Sequence, residues 1–499
     1  MKVSTLILVL LCALYTANLF AEDMGTWRQE GQQALQASKK LTPRGHRAKN
    51  IILFVGDGMG ISTVTAARIF EGQQKRRDGE RNLLAFEKLP YVAMSKTFSA
   101  NQQTSDSAPT MTAIMTGVKA NDGVIALNQN VVKGEKDAAL IAKNSVETLL
   151  EMAERKGLST GVVTTTRVTH ATPAATYAHT SHRDWENNSQ VPKPAPIADI
   201  AAQLIDRFGD GKIGNGLEVV LGGGRAHFLP QGLHGKRSDD RNLIAEFQQK
   251  FTADYVDNKQ ALDAINPAKT HHLIGLFDDD HLQYETDRVD GNSEQPSLTE
   301  MVSKAIDVLS TNANGYFLMV EGGRIDHAHH AGNAYRALAD TVALSDAVQL
   351  ALTKINLDET LVIVTADHSH TMTLSGYAKR GNPILDKVRF SDHAEPALAL
   401  DKQPYTTINY VNGQGHVGHI PPDEMVNKPL TPQMGRTVNL NNIDTMHPDF
   451  HQQAMIPLQQ ETHAGEDVQI FAEGPNAHLF HGVQDQTYIF YVMKDALGL

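Results

Sequence analysis

The sequence predicts an α/β fold: a doubly wound, mostly parallel central sheet with helices on both faces. Two observations carry this. Five runs are continuously apolar rather than alternating: IILFV (51–55), GVVTT (161–165), LEVVL (217–221), YFLMV (316–320) and LVIVT (361–365). Continuous apolarity marks strands covered on both faces, as in a parallel sheet. Helical patterns lie between them, and alternating strands and helices wind into a layered α/β architecture. A third observation concerns function. Each run gives way to Gly-rich or polar residues, and open α/β sheets bind ligands beyond the carboxyl ends of their strands.

The chain begins MKVSTLILVLLCALYTANLFAED. Lys2, an apolar run through about Leu14, and small residues up to Ala21 read as a secretory signal over 1–21, cleaved near Ala21. The run is shorter than the roughly 20 apolar residues of a membrane span, so no membrane anchor is expected. The expected location is periplasmic or secreted. Cys12 is the single cysteine of the 499 residues. A processed chain would hold no thiol, so a transition-metal site must use His and carboxylates. The net charge of −12 argues against nucleic acid or an anionic membrane as partner.

Trp27–Lys40 reads as an exposed helix. Strand 51–55 runs into GDGMG, which brings Asp57 to the sheet edge on a glycine turn. Leu84–Leu89 has a helical pattern. TSDSAPTMTAIMTG (104–117) puts Ser105 and Ser107 around Asp106 at a helix start. That is either a plain N-cap or a nucleophile on an anion-favouring helix N-terminus. A helix is predicted over Ala138–Lys156. Strand 161–165 leads into TRVTHAT, with His170 and Thr172. Arg183, in AHTSHRDW, is either a surface residue or a two-pronged phosphate ligand. Helices follow at Ile197–Phe208, Leu298–Leu309 and Tyr335–Ile355.

Strand 316–320 enters EGGRIDHAHH. Glu321 stands at the strand end, and Asp326 and His330 are four apart, on one helix face. Strand 361–365 enters ADHSH, with Asp367 and His368 at its exit and His370 as a supporting neighbour. Residues 379–457 break the pattern: rich in Gly, Pro, Asn, His and Asp, they read as an inserted subdomain. His463, in ETHAGEDV, is a lone late histidine. Together these groups supply enough O and N donors for two zinc-like ions and an oxygen-rich magnesium site.

Six motifs in order, VGDGMG, SDSAPTMTA, TTTRVTHATPAATYAH, FLMVEGGRIDHAHH, TADHSH and ETHAGEDV, resemble the alkaline phosphatase family, metal-dependent phosphomonoesterases. The resemblance runs from about Asn50 to Val492, with a poorly matching stretch near 381–455. It implies a catalytic domain over 22–499, with a crown-like insertion at about 381–455. It implies Ser107 as nucleophile and Arg183 as phosphate ligand. Asp326, His330 and His463 match a first zinc site, and Asp57, Asp367 and His368 a second. Asp57 also bridges to magnesium, completed by Glu321 and Thr172, with His170 and His370 in supporting shells. The implied reaction takes small phosphate monoesters to an alcohol and inorganic phosphate through phosphoserine. Two zinc ions and one magnesium ion per subunit, and a homodimer, are implied as well.

Two other readings compete. A related phosphodiesterase would generally use Thr as nucleophile, and a sulfatase a Cys/Ser-x-Pro-x-Arg motif; here Met111 stands where that Arg would be. A protein that only sequesters zinc or phosphate would be expected to have lost Ser107 or Arg183, and both are present.

Overall fold

A computed structural model describes residues 24–193, 197–415 and 439–499. The predicted signal segment and residues 416–438 of the predicted insertion lie outside the described residues.

Ten strands form the main sheet: β1 (Asn50–Gly56), β2 (Tyr91–Lys96), β3 (Ser159–Arg167), β4 (Val219–Gly223), β5 (Asp254–Val256), β6 (Leu273–Leu276), β7 (Tyr316–Gly322), β8 (Thr360–Ala366), β9 (Val468–Glu473) and β10 (Val483–Asp485). Their order is β10-β2-β9-β8-β1-β7-β3-β4-β6-β5. Only β9 runs antiparallel to its neighbours, β8 and β2. The sheet is thus mostly parallel, as the unbroken apolar runs require.

Alternate residues of the central strands go to opposite faces. Ile51, Leu53 and Val55 join Met111, Ile114, Ile489 and Val492 in one core. Ile52 and Phe54 join Val64, Phe70, Met301 and Leu338 in the other. Helices Ser107–Thr116, Leu149–Arg155 and Tyr488–Leu497 therefore cover one face. Helices Ile61–Gln74, Leu298–Leu309 and Ala334–Lys354 cover the other. The two layers make the doubly wound arrangement that the sequence predicts.

Register sets up the site. Val55 pairs with Glu321 on one side and Thr365 on the other. The three central strands therefore end level, and Asp57, Glu321 and Asp367 emerge side by side.

Some elements differ from expectation. Leu84–Leu89 tightens to a 3₁₀ turn, Ala85–Lys88. The helix predicted over Ala138–Lys156 is two helices, Ala138–Asn144 and Leu149–Arg155. Thr148 causes the break: its hydroxyl accepts from the Glu151 N–H while Glu151 caps the Thr148 N–H, so a new helix starts there. Strands β2, β5, β6, β9 and β10 went unpredicted, being short, peripheral or only partly apolar. Beyond the main sheet, Met372–Leu374, Ile408–Gly413 and Ala454–Pro457 form a separate three-stranded sheet. Asn187 opens the sequon Asn187–Asn188–Ser189, but its side chain is buried against Gln190 and His227.

Glu151 also anchors the first helical layer. It bonds His179 Nε2 at 2.9 Å and pairs with Arg207. Burial alone would raise its carboxyl, but His179 and then Arg207 outweigh it and hold the group down to about 2, against an ordinary 4.5. A depressed carboxyl stabilises the fold above its unfolded value and loses that contribution as pH falls. Glu151→Gln should therefore cost about 3 kcal/mol at neutral pH. The difference between wild type and variant in urea midpoints should shrink between pH 4.5 and 2; a gap that stays constant with pH would refute the assignment.

Candidate active site

Ser107 is the first residue of helix Ser107–Thr116, and Asp106 is its cap. The Asp106 side chain makes no capping bond, because it forms an ion pair with Arg183. Ser107 Oγ lies 3.2 Å from His368 Nε2 and 3.3 Å from Asp57 Oδ1. Asp57 reaches this point on a turn that only glycine serves well. Gly58 has φ +68°, and a Cβ there would sit 2.3 Å from the His370 ring. The Gly58 N–H donates to Asp367 Oδ1 at 3.1 Å, tying β1 to β8.

Asp326, His330 and His463 converge. His330 Nε2 is 3.4 Å and His463 Nε2 3.3 Å from Asp326 Oδ1, and the two Nε2 atoms are 3.1 Å apart. His330 Nδ1 faces the Glu461 carbonyl at 2.6 Å, and His463 Nδ1 faces the Ser105 carbonyl at 2.8 Å. A carbonyl only accepts, so both Nδ1 atoms carry the proton. The two Nε2 atoms face each other across a gap that suits a cation. Burial holds His330 down, whereas at His463 burial is outweighed by Asp326, which raises the ring.

Asp57, Asp367 and His368 form a second group, with His368 Nε2 3.3 Å from Asp57 Oδ1 and 3.4 Å from Asp367 Oδ2. The ligand atoms of Asp57, His170 and Glu321 form a third, all within 4.8 Å of one another. Thr172 Oγ1 is 3.5 Å from Asp57 Oδ2. Glu321 Oε2 accepts from the Thr164 and Thr166 hydroxyls. Glu321 Oε1 is buried with no hydrogen-bond partner, an open donor for an ion.

The electrostatics agree with this fit. Asp57, Glu321 and Asp367 are fully buried and Asp326 nearly so. Burial, then the charges of Asp367, Asp326 and Glu321, push the Asp57 carboxyl well above its ordinary range. Burial lifts Glu321 to about 7. Burial also raises Asp367. Asp326 moves the other way: burial opposes ionisation, but His330 and His370 outweigh it. Gathered carboxylates of this kind call for positive charge. Imidazole and carboxylate donors suit zinc; Asp57, Glu321 and Thr172 offer the hard oxygens that suit magnesium.

All twelve residues singled out from the sequence lie in or beside this cluster. His370 bridges Asp326 Oδ1 at 2.7 Å and Glu461 Oε2 at 2.6 Å. Burial works against its charge, yet Glu461 and Asp326 raise it to about 10, so it donates from both nitrogens. His170 Nε2 lies 2.8 Å from Arg183 Nη2, so it contacts the arginine as well as the third group. Sequence reasoning missed Glu461, Asp106 as the partner of Arg183, and the threonines that hold Glu321. Glu461 could have been found two residues before His463, inside a motif already noted. An open cleft of about 500 Å³ reaches the cluster past Thr104, Ser105, Asp106, His330, Glu461 and His463.

Comparison with known proteins points to one family. The family model described as alkaline phosphatase matches residues 48–499. The tissue-nonspecific alkaline phosphatase of Gallus gallus is 41% identical, over 98% of this chain and 93% of that protein. An alkaline phosphatase of Gadus morhua is 40% identical, over 94% and 96%. Among solved structures, Thermus thermophilus alkaline phosphatase superposes with TM-score 0.67 at 25% identity, covering 93% of this chain and 94% of its own. The alkaline phosphatase of the Antarctic bacterium TAB5 shares the fold, with TM-score 0.61 at 21% identity over 91% and 99%.

Stripping divalent ions with a chelator should destabilise the protein, because the buried carboxylates lose their compensation. Each site lost is worth roughly 4 kcal/mol when the free ion stands at a thousand times its dissociation constant. Thermal melts before chelation, after it, and after return of Zn²⁺ and Mg²⁺ measure this. Unchanged melting with complete ion removal would sink the reading of these groups as cation sites.

Proposed function

The chain belongs to the alkaline phosphatase family, a phosphomonoester hydrolase by that membership, and we propose that it works through a phosphoserine on Ser107 at a two-zinc, one-magnesium centre. The observation that carries this is the place of Ser107 Oγ: at a helix start, 3.2 Å from His368 Nε2 and 3.3 Å from Asp57 Oδ1.

Asp326, His330 and His463 would hold one zinc ion, and Asp57, Asp367 and His368 the other. Asp57, Glu321 and Thr172 would hold magnesium. Bound ions would supply Lewis acidity, lowering the pKa of the serine hydroxyl and of water and offsetting charge on the leaving oxygen. Asp57 turns Oδ1 towards Ser107 and Oδ2 towards Thr172, so one carboxylate serves two groups.

Ser107 Oγ, its proton given up to solvent, attacks phosphorus in line, the ester P–O bond breaks, and the leaving alkoxide takes up a proton from solvent to depart as the alcohol. Water then attacks phosphorus from the opposite side, the P–Oγ bond breaks, and inorganic phosphate leaves. Arg183 presents its guanidinium to the non-bridging oxygens. Asp106 fixes its Nη1 and His170 its Nη2, so the fork is aimed before substrate arrives. Free N–H groups at the start of helix Ser107–Thr116 favour the same anion.

The protein would act as a homodimer, periplasmic or secreted, once 1–21 are removed near Ala21. Support for self-association comes from the almost fully exposed apolar side chains of Tyr377 and Leu400. No helix among the described residues is long and apolar enough to cross a membrane.

With Zn²⁺ and Mg²⁺ at about pH 9, the protein should hydrolyse p-nitrophenyl phosphate far faster than the matching diester or sulfate. Ser107→Ala should remove several powers of ten in kcat while leaving metal content intact. Acid-quenched reactions should carry labelled phosphate on Ser107; label on another residue would overturn the assignment. Arg183→Ala should weaken binding of inorganic phosphate as well as slow turnover, since its fork acts in ground and transition states. Unchanged phosphate inhibition in that variant would remove Arg183 from the site.

A further inference from the structure

Glu461 is fully buried, yet no Lys or Arg pairs with it among the ion pairs of the described residues. Its bonds run to the histidines and to Thr371. Oε2 lies 2.6 Å from His370 Nδ1, and the far side of that ring is 2.7 Å from Asp326 Oδ1. Oε1 accepts from both the N–H and the hydroxyl of Thr371, each at 2.6 Å. The main chain of Glu461 is latched as well. Its N–H donates to the His330 carbonyl at 3.0 Å, and its carbonyl accepts from His330 Nδ1 at 2.6 Å. Two residues on, His463 pairs with His370 in a short antiparallel ladder.

Asp326 and His330 come from the helix after β7, His370 from the two-residue strand Ser369–His370 after β8, and His463 from its partner strand His463–Ala464, nearly a hundred residues later in the chain. No single element of secondary structure could hold them in register. Glu461 touches each line of support. We infer that Glu461 is the positioning residue of the Asp326–His330–His463 cage: its side chain aims Asp326 through His370, and its main chain aims His330. This rests on the reading of those three residues as metal ligands. With Oε1 accepting twice from Thr371 and Oε2 facing His370, the carboxylate is engaged in orienting the ligands rather than in binding an ion itself.

Partners that orient metal ligands typically contribute 10- to 100-fold to affinity. Glu461→Gln keeps the shape but removes the charge facing His370. In the zinc- and magnesium-loaded enzyme, one zinc ion per subunit should pass to a chromophoric chelator 10- to 100-fold more readily than in wild type. The other ions should stay as tightly held. Thr371→Val is the control for mere loss of a buried contact. It removes one donor to Glu461 without touching His370, and its zinc affinity should stay within about twofold, short of the range for orienting partners.

Asp326→Asn separates the two readings. If it leaves zinc binding unchanged, the cage itself is wrong and the role of Glu461 falls with it. If Asp326→Asn frees one ion but Glu461→Gln binds zinc like wild type, the cage stands and the inference about Glu461 is overturned. Equal weakening of all ions in Glu461→Gln, with a lowered melting temperature of the metal-free form, would make Glu461 a structural residue only and would also overturn it. Should Glu461→Gln not fold, His370→Gln tests the same link, and retention of all ions there would count against it.

Discussion

Four carboxylates held out of water at one edge of one sheet are the constraint on which this molecule turns. Asp57, Glu321, Asp326 and Asp367 are each almost wholly inaccessible. Bringing like charges together in a low-dielectric interior is unfavourable unless cations or protons accompany them. The surrounding architecture can be understood as what is needed to hold them there. The central strands are in register, so three of the four groups leave the sheet at one level. Both faces of those strands are packed, which fixes the positions of their ends. Hydroxyls from β3 steady Glu321, and amide N–H groups steady Asp367.

The imidazoles around them are conditioned in the opposite sense. Burial and then His463 push His368 well below its ordinary value. Burial, then Arg183, does the same to His170. These rings stand neutral at neutral pH and offer lone pairs. Two rings go the other way: burial opposes their charge, but Glu461 and Asp326 raise His370, and Asp326 raises His463. The difference follows from neighbours, because His368, His170 and His370 are all buried. His368 and His170, whose strongest neighbours are a ring and a guanidinium group, stay neutral. The ring enclosed by acids becomes a charged strut.

Much of this was legible in the residues. Continuous apolar runs gave five of the strands, and the polar clusters after them marked the edge where the site lies. That worked because a parallel strand covered on both faces has no alternation to obscure it. The short outer strands were not legible: β5 and β10 have three residues each, too few for a pattern. The broken helix at 144–149 was hidden because helical periodicity continues across a capping box that restarts the helix. In the site, ligand types could be read from their positions at strand ends. What held them could not. Glu461, the Thr164–Thr166 pair and the Asp106–Arg183 pairing depend on contacts between segments far apart in sequence, and a Glu or Thr alone announces none of them.

The same geometry ties metal, proton and fold into one equilibrium. A carboxyl raised by burial, such as Glu321 at about 7, lends the metal-free fold stability that is complete below its unfolded value of 4.5. That contribution is lost as pH rises through about 7, because the unfolded chain ionises first. The metal-free protein is therefore least comfortable at alkaline pH, where these groups must ionise inside the fold. Divalent cations reverse this: they bind the ionised form, release the proton, and draw stability from the very charges that were a liability. Where the raised carboxyls of Asp57, Glu321 and Asp367 gather, cations thus bind better as pH rises, with no separate switch needed.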